Sequence, residues 1–183
     1  MIAHIMEPLE AKVKVRRMKE LLMRLFRHKA WADDALLDAL VKLEDRPAVV
    51  ALALKALSHT YVIDRIFAAH LRRASHGFQS ANLAEAPALE ELSRDIRASD
   101  QEYLDYVTKL EPTQLAERID FTFTDGAKGR MSREEMLLHV ITHGVGHRGQ
   151  VSALMLLNDL PAVPDGFTTY LHRAEAAERR RAA

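Results

Sequence analysis

Three histidines at every fourth position, His139, His143 and His147, lie within residues 132–158, SREEMLLHVITHGVGHRGQVSALMLLN, and constrain this chain more than any other stretch. Apolar residues recur around them at helical spacing. Ser132 followed by Glu135 writes a capping box, and Met131 with Met136 is placed for the accompanying hydrophobic staple, so one long helix is predicted. At about 100° per residue, His147 and His139 fall about 40° to either side of His143, and Met136, Leu154, Val140 and Val151 cluster on the His147 side. His143 and His147 therefore point with the core face, and His139 sits at its edge. His139 and His147 are about 12 Å apart along the axis, so one ion cannot take all three. Two imidazoles one turn apart can converge on a transition metal about 2 Å from each nitrogen. Gly144 and Gly146, each about 1 kcal/mol worse than alanine inside a helix, predict a crowded site with close neighbours.

Composition narrows the rest. The 26 basic and 26 acidic residues cancel, which leaves no basic excess for a nucleic-acid partner, and the one basic run, 179–181, reads as a solvated end. No cysteine occurs, which excludes disulfides, thiolate metal sites and a cysteine nucleophile; a thiol reactant would have to come from outside. No apolar run approaches the roughly 18 residues of a membrane span, and the N-terminal stretch lacks the apolar core of a signal peptide. A single cytoplasmic domain without a membrane partner is the expectation.

Residues 14–43 carry Leu21, Leu25, Ala32, Leu36 and Leu40 near a 3.6-residue period and predict the first long helix, with Trp31 filling the core or walling a pocket. The break at 44–47 leads to a second helix over 48–73. There Leu52, Ala56, Ile63 and Ile66 lie within about 60° of His59, so His59 faces the core, where an unpartnered imidazole is unfavourable. His70 and His76 carry no such argument. Residues 75–87 are polar and turn-rich, and 88–110 form a third helix with Leu89, Leu92, Ile96, Tyr103, Leu104 and Val107 inward against a charged, solvated outer face. Residues 117–124, ERIDFTFT, switch to a period of two, and Asp125-Gly126 turns the chain into 127–130, a short hairpin that must lean on the helices. Pro161 and Pro164 end the last long helix, and 167–171 pack back. Residues 1–183 read as one domain with loose ends at 1–13 and 173–183.

Inward histidines on the second and fourth helices make His59, His143 and His147 a three-imidazole set with a fourth position open, the arrangement of catalytic zinc and one that also suits nickel or ferrous iron. The chain contains no Glu-x-x-His and no HExxH, so neither a carboxylate-bridged di-iron site nor a zincin protease has support. Asp64, about 140° from His59 on the wheel, is not a ligand. Arg148 and Gln150 could orient a substrate anion or hydrogen-bond behind a ligand, with exposed or interface roles equally open; His139 could support a ligand from behind or stand as an exposed edge residue, the latter being the preferred reading.

HVITHGVGHRGQVSALM, with His143 and His147 in an HxxxHRGQ pattern, LSHTYVIDRIF around His59, and KAWADDALL around Trp31 together resemble the DinB/YfiT-like family of metal-binding four-helix bundles over roughly residues 20–172. The resemblance implies an all-α fold, an up-down-down-up four-helix bundle with a short β-hairpin before the last long helix. It implies a divalent metal (zinc, nickel, iron or manganese) held by His59, His143 and His147, and a homodimer. It also implies a metal-dependent enzyme acting on a small-molecule substrate, since relatives include transferases and isomerases that use low-molecular-weight thiols such as bacillithiol or mycothiol; a thiol-dependent transferase or hydrolase is the expected class. The second reading is a non-catalytic, stress-associated metal- or ligand-binding dimeric bundle. An open coordination position beside a pocket distinguishes the two. The sequence departs from the family pattern at Ala32, Phe67 and Thr142, which leaves the three ligands intact.

Overall fold

A computed structural model describes residues 9–43 and 45–179 of the chain. Four long helices dominate: α1 (Leu9–Leu40), α2 (Pro47–Leu71), α3 (Leu89–Lys109) and α4 (Arg133–Leu156). A short 3-10 helix (Pro112–Ala116) and a two-stranded antiparallel sheet of β1 (Arg118–Thr122) and β2 (Lys128–Ser132) precede α4, and two short helices, α5 (Phe167–Ala174) and α6 (Ala176–Arg179), follow it. α1 starts earlier than residue 14. Residues 1–8 of the expected loose start, Glu44 of the break, and Arg180 and Arg181 of the basic run lie outside the described residues.

Pro47 opens α2 at a position where its missing N–H is not needed. The hairpin pairs Ile119 with Met131 and Phe121 with Gly129; Asp125 Oδ1 accepts from the Ala127 N–H, and Gly126 takes φ +89° in the turn. A Cβ at Gly129 would collide with the Phe121 ring, so this position stays glycine for packing. β2 runs to Ser132, beyond Arg130, because Ser132 also caps α4: its hydroxyl accepts from the Glu135 N–H while the Glu135 carboxylate accepts from the Ser132 N–H.

α2 packs on α4 and α1 on α3, and further contacts join α1 to α4 and α2 to α3. The apolar interior is in two parts. One, toward the hairpin, gathers Leu22 and Phe26 of α1, Phe67 and Leu71 of α2, Tyr103 and Val107 of α3, and Met136 and Val140 of α4. The other gathers Leu36 and Leu40, Ala53 and Leu57, Leu92 and Ile96, and Val151 and Met155. Between the two parts each long helix contributes charge instead: Lys29 and Asp33 from α1, Asp64 from α2, Asp100 from α3 and Arg148 from α4, all buried.

This polar layer revises the expected core faces. Leu21 is exposed and Leu22 buried, because the inward stripe of α1 runs Leu22, Phe26, Lys29, Asp33, Leu36, Leu40 and passes through two charged residues. On α2 the buried line is Ala53, Leu57, Thr60, Asp64, Phe67, Leu71; Leu52 is 56% exposed, and His59 is half-buried at the border of that line. The charge of α3 is not all solvation, since Asp100 lies inside.

Candidate metal centre

α4 keeps its core face on Leu137, Val140, Gly144, Arg148, Val151 and Met155, which leaves His139, His143 and His147 half-buried along the edge facing α2. His59 stands on the matching edge of α2. The border position lets the rings meet one another and still reach solvent. His143 Nε2 lies 3.2 Å from His59 Nε2 and 3.1 Å from His147 Nε2, and one ring nitrogen from each of the three residues falls within 4.8 Å of the others.

Hydrogen bonds on the far sides of two rings decide which nitrogen is available. His59 Nδ1 donates to the Ala81 carbonyl at 2.9 Å, and His147 Nδ1 donates to Gln150 Oε1 at 2.8 Å. Both rings are then the Nδ1–H tautomer and present an Nε2 lone pair inward. His143 Nε2 carries at most one proton, which satisfies at most one of its two close nitrogen neighbours. The other approach sets lone pair against lone pair, a conflict that a cation at the point of convergence removes. The spacings suit this: nitrogens about 2.0–2.1 Å from a tetrahedral zinc lie about 3.3–3.4 Å from each other. The residues present fit a bound divalent metal. His143 Nδ1 is buried without a hydrogen-bond partner, so packing aims this ring, with His139 stacked on it at 5.4 Å.

Burial, followed by the neighbouring His147 and His59, holds the His143 imidazole down to about 4, and burial also lowers His147. Both are neutral at pH 7, the form that binds metals. Beside His59 and His147 a groove of about 340 Å³ opens to solvent, lined by Leu52, Lys55, Ala56, Asn82 and Gln150.

Other expectations resolve unevenly. Arg148 does not face the histidines: it is 2% exposed, pairs with Asp33 at 3.0 Å and holds Asp165 through two nitrogens, so the exposed, interface and substrate-orienting roles all fall away. Gln150 accepts a hydrogen bond from the outer side of the His147 ring. His139 is half-buried against Phe67, with ring centroids 4.5 Å apart, rather than exposed. Gly144 is crowded as expected, since a Cβ there would sit 3.2 Å from Arg148 Nη1, whereas Gly146 faces open space and the crowding argument fails for it. Asp64 is turned away from the histidines and pairs with Lys29 at 2.9 Å. Trp31 packs on His28 and on Tyr170 of α5, so 167–171 do fold back.

Two features had no reading from sequence. His70, buried between Phe67, Phe121 and His76, joins an aromatic wall leading to His139. The layer around Lys29 was signalled only by charges standing in phase with an apolar stripe. Among the described residues no helix is long and apolar enough to cross a membrane.

Comparison with known proteins adds one result. The sequence model of the DinB family matches residues 17–179. No curated protein and no solved structure matches the chain.

Proposed function

Because this chain belongs to the DinB family, we propose that it is a metal-dependent enzyme whose divalent cation is held by His59, His143 and His147. The observation that carries this reading is the meeting of three Nε2 atoms with two of the rings pinned by outward hydrogen bonds. The metal is zinc, nickel, iron or manganese, all compatible with neutral imidazoles. When bound, it supplies a Lewis acid for a substrate donor atom. The protein's own part is to keep His143 and His147 neutral, orient His59 and His147 through Ala81 and Gln150, and offer a groove where a small substrate can lie. That groove favours the enzyme over a non-catalytic binding module.

The reaction class we propose is a transfer or hydrolysis using a low-molecular-weight thiol as cosubstrate, in keeping with the absence of cysteine. We read the chain as one cytoplasmic domain, an up-down-down-up four-helix bundle. In support, α1 and α4 pass from the hairpin-side cluster to the other, while α2 and α3 pass the opposite way. We also propose a homodimer, for which exposed Val13 and Leu21 of α1, Val41 just after it, and Val145 and Leu156 of α4 are candidate contacts.

Metal content by elemental mass spectrometry on untagged protein tests the reading. Near one metal per chain, lost in both His59→Ala and His143→Ala, is the expected result, followed by a screen for thiol-dependent transfer. Metal-free protein that takes up neither zinc, nickel, iron nor manganese on reconstitution would leave only the binding-module reading.

A further inference from the structure

The groove beside the three histidines has a charge of one sign. Among the described residues its lining contains no carboxylate, and Lys55 is the one side chain there with a permanent charge. Among the described residues Lys55 has no ion pair, a state it shares with other surface cations such as Lys42 and Lys109; what sets it apart is its place in the lining beside His59 and His147. Imidazole ligands bring no negative charge to offset a divalent cation, so a cation held there and the Lys55 ammonium would act together on whatever enters.

Position sharpens this. Lys55 precedes His59 by four residues on α2, hence about 6 Å along the axis on the same side of the helix. Leu52, exposed in the same lining, sets an apolar surface beside it. Across the groove the 75–87 loop brings Asn82 next to Ala81, whose carbonyl holds the His59 ring. A short ligand with a donor atom at the histidines, a few carbons against Leu52, and a negative group at Lys55 matches each of these features.

Resting on the metal reading above, we propose that the site takes small ligands bearing a second, anionic group, and that Lys55 is the residue that selects them. Lys55 sets specificity at the rim and has no part in holding the metal.

Cobalt(II)-loaded protein allows a test without any assay of turnover. The near-ultraviolet and visible spectrum is followed while 3-mercaptopropionate, 2-mercaptoethanesulfonate or uncharged 2-mercaptoethanol is added to wild type, Lys55→Gln and Lys55→Arg. The expected result is about fivefold to tenfold tighter binding of the charged thiols by wild type, a preference lost in Lys55→Gln, kept in Lys55→Arg and weakened by salt. The two charged probes distinguish a planar carboxylate from a tetrahedral oxyanion as the preferred group. Equal affinities for charged and neutral thiols in cobalt-loaded wild type, or a preference that persists in Lys55→Gln, overturn the role of Lys55 and leave the metal site standing. Failure of wild type to take up cobalt overturns both.

Discussion

Each of the three histidines is aimed by a different device. The loop carbonyl of Ala81 holds His59, the amide of Gln150 holds His147, and packing under His139 holds His143. Gln150 is exposed, so its replacement tests ligand orientation apart from folding. Gln150→Ala should leave the melting temperature near wild type and weaken metal affinity by roughly tenfold to a hundredfold, read by competition with a chromogenic chelator. An unchanged affinity would mean that backbone and packing alone place the His147 ring. Spacing on α4 was enough to single out His143 and His147, because helical geometry is local. His59 was singled out from its place in an aliphatic stripe, yet the stripe is centred on Ala53, Leu57 and Asp64, and His59 borders it. The border is where a metal ligand must stand if a substrate is to reach it. The Ala81 carbonyl, 22 residues downstream, has no sequence signature, since every residue carries the same group.

Among the elements, α4 was the most legible. Its capping box is a property of adjacent residues and appears as read, whereas its buried face is centred on Leu137, Gly144, Arg148 and Met155, so His143 and His147 border the core instead of pointing with it. Its glycines separate into two kinds. Gly144 lies under Arg148 and Lys29, whereas a Cβ at Gly146 would meet nothing within 4 Å. Gly146→Ala should therefore stabilise the protein by about 0.5–1 kcal/mol through lower chain entropy in the unfolded state, measured by chemical denaturation. A loss of stability that depends on protein concentration would place a second copy of the chain against this face. α1 was harder to read because its inward stripe crosses Lys29 and Asp33, and a search for apolar residues alone shifts onto Leu21. Charged positions falling in phase with Leu22, Phe26, Leu36 and Leu40 are the signal that would have corrected it.

At the scale of the whole molecule, the four long helices share one buried polar layer. Lys29 pairs with Asp33, Asp64 and Asp100, and Arg148 pairs with Asp33 and Asp165, so two cations face four carboxylates. Four charged carboxylates would exceed the cations, and proton uptake relieves the excess. Burial pushes Asp64 up to about 6 and Asp100 up to about 8 despite Lys29, while for Asp33 the pull of Lys29 and Arg148 outweighs burial and lowers it. For Asp64 and Asp100 the folded state holds the proton more tightly than the unfolded one. Their contribution to stability is then full below the ordinary carboxylate value and lost as pH rises through about 6 and then about 8. Asp33 contributes in the opposite sense, at pH above the ordinary value, and loses that contribution as pH falls below it. Thermal unfolding from pH 6 to 9 should therefore show wild type losing stability, with Asp100→Asn flatter by about 1–2 kcal/mol across the range. Parallel curves would show Asp100 already ionised at pH 6. By itself the sequence determined the helices, the hairpin and the pairing of His143 with His147 one turn apart on α4, because periodicity, caps and turn residues act over a few positions. Only the tertiary structure decided that Arg148 turns inward, that Lys29 gathers acids from three helices, and that the described residues lining the groove beside the histidines include Lys55 and no carboxylate. Those outcomes depend on which residues distant in sequence share a layer, and burial makes a charge satisfy itself with whatever the packing brings within reach.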